Sequence, residues 1–180
     1  MEYYKNLGTR VLLAFLLNPV VFYFIFAPIT LFLSYLILLG YHPIVSFAEN
    51  TILIKGTLLN FVKGCIAPSA YYLLTLLVLF SKDISWKKRT KIWFIGAMLL
   101  LGMNLLRISI VVFVLLNFGK NGFDAIHIFF WEFVSTIYVF LVWVFLTKKF
   151  KIEGIPVYDD IKILYEKSIL GKERKNTKRQ

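Results

Sequence analysis

The sequence predicts an all-α integral membrane protein, a bundle of about four transmembrane helices with a short extracytoplasmic hairpin or loop. Three observations predict it. Of the 180 residues, 59% are hydrophobic, where a soluble domain is nearer half apolar. The apolar residues are gathered into runs long enough to cross a bilayer, which takes ~20 residues as a helix. The cations are gathered into alternate connections between those runs. A chain of this size reads as one compact membrane domain, residues 1–150, followed by a basic cytoplasmic tail, 151–180.

Met1–Arg10 is a short polar start carrying Lys5 and Arg10. Val11–Leu39 follows without a charge. At 1.5 Å per residue its 29 residues would span ~44 Å, too long for one bilayer core and too short for two crossings. Asn18-Pro19 and Pro28 are the places to break or kink it. The expected arrangement is an interfacial lead-in and one crossing near Val20–Leu39. The run is too long for a signal-peptide core and shows no clear cleavage site, so it is expected to be retained.

Gly40–Gly64 is a mixed connection. Thr51–Ile54 and Thr57–Val62 are β-prone and flank Lys55-Gly56, which predicts a short hairpin with an apolar face toward the lipid. His42, before Pro43, reads as a loop residue. Ile66–Phe80 is a short second span. Pro68 suits a first helical turn, where its missing N–H is harmless, so this helix should start at Ala67 or Pro68 with Cys65 at or just before its N-terminus.

Ser81–Lys91 is strongly basic. Ile92–Phe118 is the third span, Gly119–Ala125 a tight loop, and Ile126–Thr147 the fourth span. Seventeen of the 21 Lys and Arg lie in the start, in Ser81–Lys91 and in Lys148–Gln180, whereas the other two connections hold only Lys55, Lys63 and Lys120. This asymmetry predicts cytoplasmic termini in a multi-pass protein of the cell membrane. It also accounts for the net charge of +11 without nucleic acid as a partner.

The single cysteine, Cys65, excludes an internal disulfide, a paired-cysteine redox motif and a cysteine zinc cluster. By itself it reads as an inert apolar residue or as a nucleophile. Arg107 is the remaining cation and the only one inside an apolar run. Charge at membrane depth costs ~2.5 kcal/mol or more, so such an arginine marks a functional site or an internal clasp. Topology brings the two together. Cys65 opens the second span and His127 the fourth, both from the outer side, and Arg107 lies two-thirds of the way up the third toward that face. Arg107 nonetheless stops about 11 residues, ~16 Å, short of the nominal outer end of its helix.

The chemistry available to these groups is specific. A thiol attacks as thiolate, which a guanidinium and a helix N-terminus both favour. His127 can take the proton in one step and return it in the next. Arg107 can hold an oxyanion, since it keeps its proton and offers five donors. Asn104, one turn before Arg107, can brace the guanidinium or add a donor. Asp124 can cap the fourth helix or orient His127. Glu132 is a candidate partner for Arg107, in which case Arg107 is structural. Each residue has a plain alternative: Cys65 a buried inert thiol, His127 an interfacial helix residue, and the tryptophans and tyrosines interface and packing groups.

The order of these residues is Lys63-Gly-Cys65-Ile-Ala-Pro, then Met103-Asn104-Leu-Leu-Arg107-Ile, then Phe123-Asp-Ala-Ile-His127. It resembles the exosortase/archaeosortase family of integral-membrane cysteine transpeptidases, over roughly Thr51–Lys149. The short chain looks more like the compact archaeal members. The resemblance implies that Cys65 is the nucleophile, Arg107 the transition-state stabiliser and His127 the acid/base. It implies substrates that are exported proteins with a C-terminal tripartite sorting signal: a short motif, a transmembrane helix and a basic tail. The new C-terminus would pass to a membrane lipid or another acceptor. Many family members carry Gly two residues after the cysteine, where this chain has Ala67 and then Pro68. The chemistry requires neither metal nor organic cofactor. The alternative is a non-enzymatic membrane scaffold, or a transporter subunit binding a ligand through Arg107.

Overall fold

The computed structural model of the chain describes residues 2–40, 44–48, 51–54, 57–60, 63–81, 84–129 and 134–152. The expected polar start is helical: α1 runs Glu2–Leu16. The chain breaks where the sequence places a break. The Asn18 side chain accepts hydrogen bonds from the amides of Val20 (2.9 Å) and Val21 (3.2 Å), with Pro19 in the first turn. This satisfies two of the four orphan N–H groups of a helix start. Helix α2, Pro19–Leu39, then continues through Pro28 without ending. Its buried stripe is Phe22, Phe26, Ala27, Thr30, Leu31, Ser34 and Leu38, the three-and-four spacing of a single packed face.

The expected hairpin forms and gains a third strand. β1 (Ile44–Ala48), β2 (Thr51–Ile54) and β3 (Thr57–Asn60) make an antiparallel sheet in chain order. Thr51 pairs with Asn60 and Ile54 with Thr57. Ile52 and Ile54 are fully buried while Thr51 and Leu53 are half-buried, the period of two that gives a sheet one apolar face. That face meets Leu31 and Leu38 of α2 in an apolar cluster.

A four-residue turn, α3 (Lys63–Ile66), precedes α4 (Pro68–Leu79). At 12 residues, α4 is ~18 Å long, shorter than a hydrocarbon core of ~30 Å. It is the central helix, touching α1, α2, α5 (Trp86–Phe129) and α6 (Ser135–Phe150). Inside α5, Gly119 is in a non-helical conformation (φ 70°, ψ −166°). The expected Gly119–Ala125 loop is therefore a single-residue kink, after which the backbone is helical again. The fourth apolar helix correspondingly starts at Ser135, not at Ile126. Among the described residues, α2 and the Trp86–Phe123 part of α5 are long and apolar enough to cross a membrane.

Cross-contacts set the directions. Phe26 of α2 stacks on Tyr71 of α4 at 3.7 Å, whereas Leu31 and Leu38, later in α2, share an apolar cluster with Cys65, which precedes α4, so these helices are antiparallel. The Trp93 indole donates to Thr75 Oγ1 (2.8 Å), and Tyr138 Oη donates to Leu99 O (3.0 Å), which ties α4 and α6 to α5. Interhelical hydrogen bonds and close approach hold helices together in a membrane, where apolar burial between them is not the driving force. Gly96 provides a close approach. A β-carbon there would lie 2.8 Å from Leu74 Cδ2 and 2.9 Å from Leu146 Cδ1.

Candidate active site

Cys65 occupies α3, not the start of the helix that follows. Between the two lies Ala67, at φ 53° and ψ 48°. This left-handed conformation costs a residue with a β-carbon ~1–2 kcal/mol. The sequence feature that departs from the resembled family, alanine in place of glycine, thus falls on a position whose backbone suits glycine.

The break leaves carbonyls to satisfy. In a continuous helix Gly64 O would accept from the amide of residue 68. Residue 68 is proline and has no N–H. Instead, Arg107 Nη2 donates to Gly64 O at 2.9 Å, and Asn104 Nδ2 donates to Cys65 O at 2.8 Å. Both side chains are 6% exposed. The order follows from antiparallel packing: three residues up α5 answers to one residue back along α3. The Asn-x-x-Arg spacing therefore presents two donors from one helix face to two successive carbonyls.

The guanidinium also has Cys65 and the Tyr71 hydroxyl within electrostatic reach. Tyr71 is 1% exposed. Its hydroxyl, like those of Thr30 and Ser34, is buried without a hydrogen-bond partner among the described residues. Cys65 is half-buried and packs against the apolar cluster of Leu31, Ile54, Ile108 and Val112. A cavity of about 40 Å³ lies beside Ala67, Asn104, Arg107 and Tyr138, room for a water-sized group. An apolar groove of about 310 Å³ runs along α5 by Leu106, Ile110 and Phe113. It shares Leu38, Ile54 and Val112 with the cluster that holds Cys65.

The structure thus brings together Cys65, Asn104 and Arg107 of the residues singled out from sequence. Asp124 and His127 lie on the helical backbone beyond Gly119, and the side chain of Asp124 falls outside the described residues. So does that of His127. Glu132, His42, the Lys55-Gly56 turn and the tail from residue 153 also lie outside them.

Two features leave no mark in the sequence. Tyr71 is one of ten tyrosines, and no pattern distinguishes it. Arg89 reads as one more loop cation but is buried. Its guanidinium donates to the carbonyls of Val78, Leu79, Ser81 and Ile84, closing the C-terminal end of α4. One signal for the Gly64–Cys65 contacts is present in the sequence: Pro68 obliges a carbonyl four residues earlier to find another donor.

Comparison with known protein families, with curated proteins and with solved structures gives no match to this chain.

Proposed function

We propose that this chain is a membrane-embedded cysteine transpeptidase of the exosortase/archaeosortase kind, cleaving C-terminal sorting signals from exported proteins. The observation that carries the reading is the meeting of the Cys65 turn with Asn104 and Arg107, through bonds that bridge 39 and 43 positions of sequence. A buried arginine beside a thiol is the environment in which a thiolate is favoured. Tyr71, buried against the same guanidinium, is consistent with a desolvated reaction centre.

The four apolar helices α2, α4, α5 and α6 would cross the membrane alternately, with both termini cytoplasmic. Arg89 and Arg107 stand about 18 residues apart on α5, hence ~27 Å along its axis, close to the ~30 Å of a hydrocarbon core. On this reading each arginine sits near one boundary. The short α4 spans the core only with help from its flanking turns, and those arginines bond the carbonyls at its two ends. Cys65 then lies near the outer boundary, within reach of a substrate anchored by its own helix. The groove beside Leu106 and Phe113 gives such a helix a lateral approach.

In the reaction, His127 takes the thiol proton, Cys65 Sγ bonds to the scissile carbonyl carbon and the C–N bond breaks. The departing amine takes a proton, which His127 supplies. An acceptor amine or water then attacks the thioester, the C–S bond breaks, and the thiol is restored. Arg107 would steady the negative charge on the carbonyl oxygen.

The decisive experiment co-expresses a substrate ending in a short motif, a transmembrane helix and a basic tail. Cys65→Ala should abolish its processing at unchanged enzyme level. Unchanged processing would remove the nucleophile assignment. A second reading, a non-enzymatic scaffold or ligand-binding subunit, draws on the same contacts: Arg107 and Asn104 bind backbone, and Cys65 packs on apolar side chains. It expects Cys65→Ser to be silent and Arg107→Lys to be damaging.

A further inference from the structure

The Gly64–Cys65 turn cannot complete its own hydrogen bonds. Pro68 brings no N–H to Gly64 O, and the left-handed Ala67 separates α3 from the ladder of α4. Both missing donors come from α5. Asn104 is the shorter of the two side chains and carries no charge, and its amide donates to the cysteine's own carbonyl at 2.8 Å. It is 6% exposed, and its amide is engaged with the backbone of the thiol-bearing turn.

We propose that Asn104 is a positioning residue, which fixes the carbonyl of Cys65 against α5 and so holds the thiol-bearing turn beside Arg107. The inference rests on Cys65 being the nucleophile but concerns a different atom set. It divides the labour within Asn-x-x-Arg: Arg107 bears the charge that acts at the sulfur, and Asn104 sets the distance between sulfur and charge. The left-handed alanine makes the division necessary. A turn held only by its own backbone would relax that residue and carry Cys65 away from the guanidinium. Displacements of about 1 Å at a reacting group are enough for ~100-fold in rate.

The test uses the full chain in lipid nanodiscs and two readouts. One is the pH profile of Cys65 alkylation by iodoacetamide. The other is processing of the tail-anchored substrate. Asn104→Leu removes the donor; Asn104→Asp keeps the shape but offers no N–H when ionised; Asn104→Gln keeps an amide. The expected result for the first two is an alkylation midpoint moved to higher pH and processing reduced about 10-fold or more, with Asn104→Gln recovering part of both.

A wild-type alkylation profile in a folded Asn104→Leu protein overturns the proposal. If processing is lost while that profile stays, Asn104 acts on the substrate, and positioning is again wrong. Unfolding of both Asn104→Leu and Asn104→Asp assigns the residue to the fold alone and also overturns it. A shifted profile in a protein whose wild type processes no substrate leaves the positioning intact and removes the transpeptidase reading.

Discussion

Arg89 and Arg107 are both buried, both on α5, and both donate to backbone carbonyls flanking α4. Only Arg107 stands out in the sequence, because only it interrupts an apolar run. Arg89 hides in a basic stretch, Lys87-Lys88-Arg89-Thr90-Lys91, where charge alone would suffice for membrane orientation. Its role needs the planar fork of a guanidinium, since four carbonyls converge on it. Arg89→Lys keeps the charge and the topology signal. We expect it to destabilise the protein by about 2 kcal/mol or more, because charge-assisted bonds to buried carbonyls are lost. The check is the unfolding midpoint in a graded detergent titration. A midpoint equal to that of the wild type would mean that the fork contributes only charge.

At the scale of elements, helix contact is decided by where α5 lacks a side chain. Gly96 faces Leu74 and Leu146, both buried, at distances that already exclude a methyl group without movement. Gly102 is exposed, and a methyl group added there would have nothing within 4 Å. The two glycines should therefore respond in opposite ways. Gly96→Val should destabilise by roughly 1–3 kcal/mol through overpacking. Gly102→Ala should be neutral or stabilising by up to ~1 kcal/mol, since alanine is the better helix former. The same detergent titration ranks them, and a parallel response would show that α4 and α6 do not close on Gly96. Gly119 acts differently again. Its φ of 70° makes it the point where α5 changes direction. In sequence it looks like a loop, because Gly, Asn and Gly cluster there.

For the whole molecule, the arrangement to test is the alternation of the helices. Lys87 and Lys120 are both exposed and stand on opposite sides of the long apolar part of α5. About 33 residues separate them, or ~50 Å of helix. In a Cys65→Ser background, Lys120→Cys should react with a membrane-impermeant maleimide on intact cells. Lys87→Cys should react only after permeabilisation. Labelling of both from one side would refute a crossing by α5. It would leave the α4–α5 hydrogen bonds as they are, and with them the geometry at Cys65.

Chain order is enough to dictate the breaks and the composition of the segments. Asn18-Pro19 separates two helices because a proline in the first turn and an asparagine cap are local chemistry. The β2–β3 hairpin follows from β-prone residues around Lys55-Gly56, and the helix start at Pro68 from the missing amide. Such features depend on near neighbours. Which residues meet across the chain depends instead on packing in three dimensions. Apolar residues beyond Arg107 look lipid-facing in sequence, yet Ile108 and Val112 cover the sheet. Tyr71 and Arg89 acquire their roles from the helices packed around them, and Asn104 from a carbonyl 39 residues away. The physical reason is that a carbonyl without a local donor announces a need. Which helix answers it is settled by packing, and packing has no one-dimensional signature.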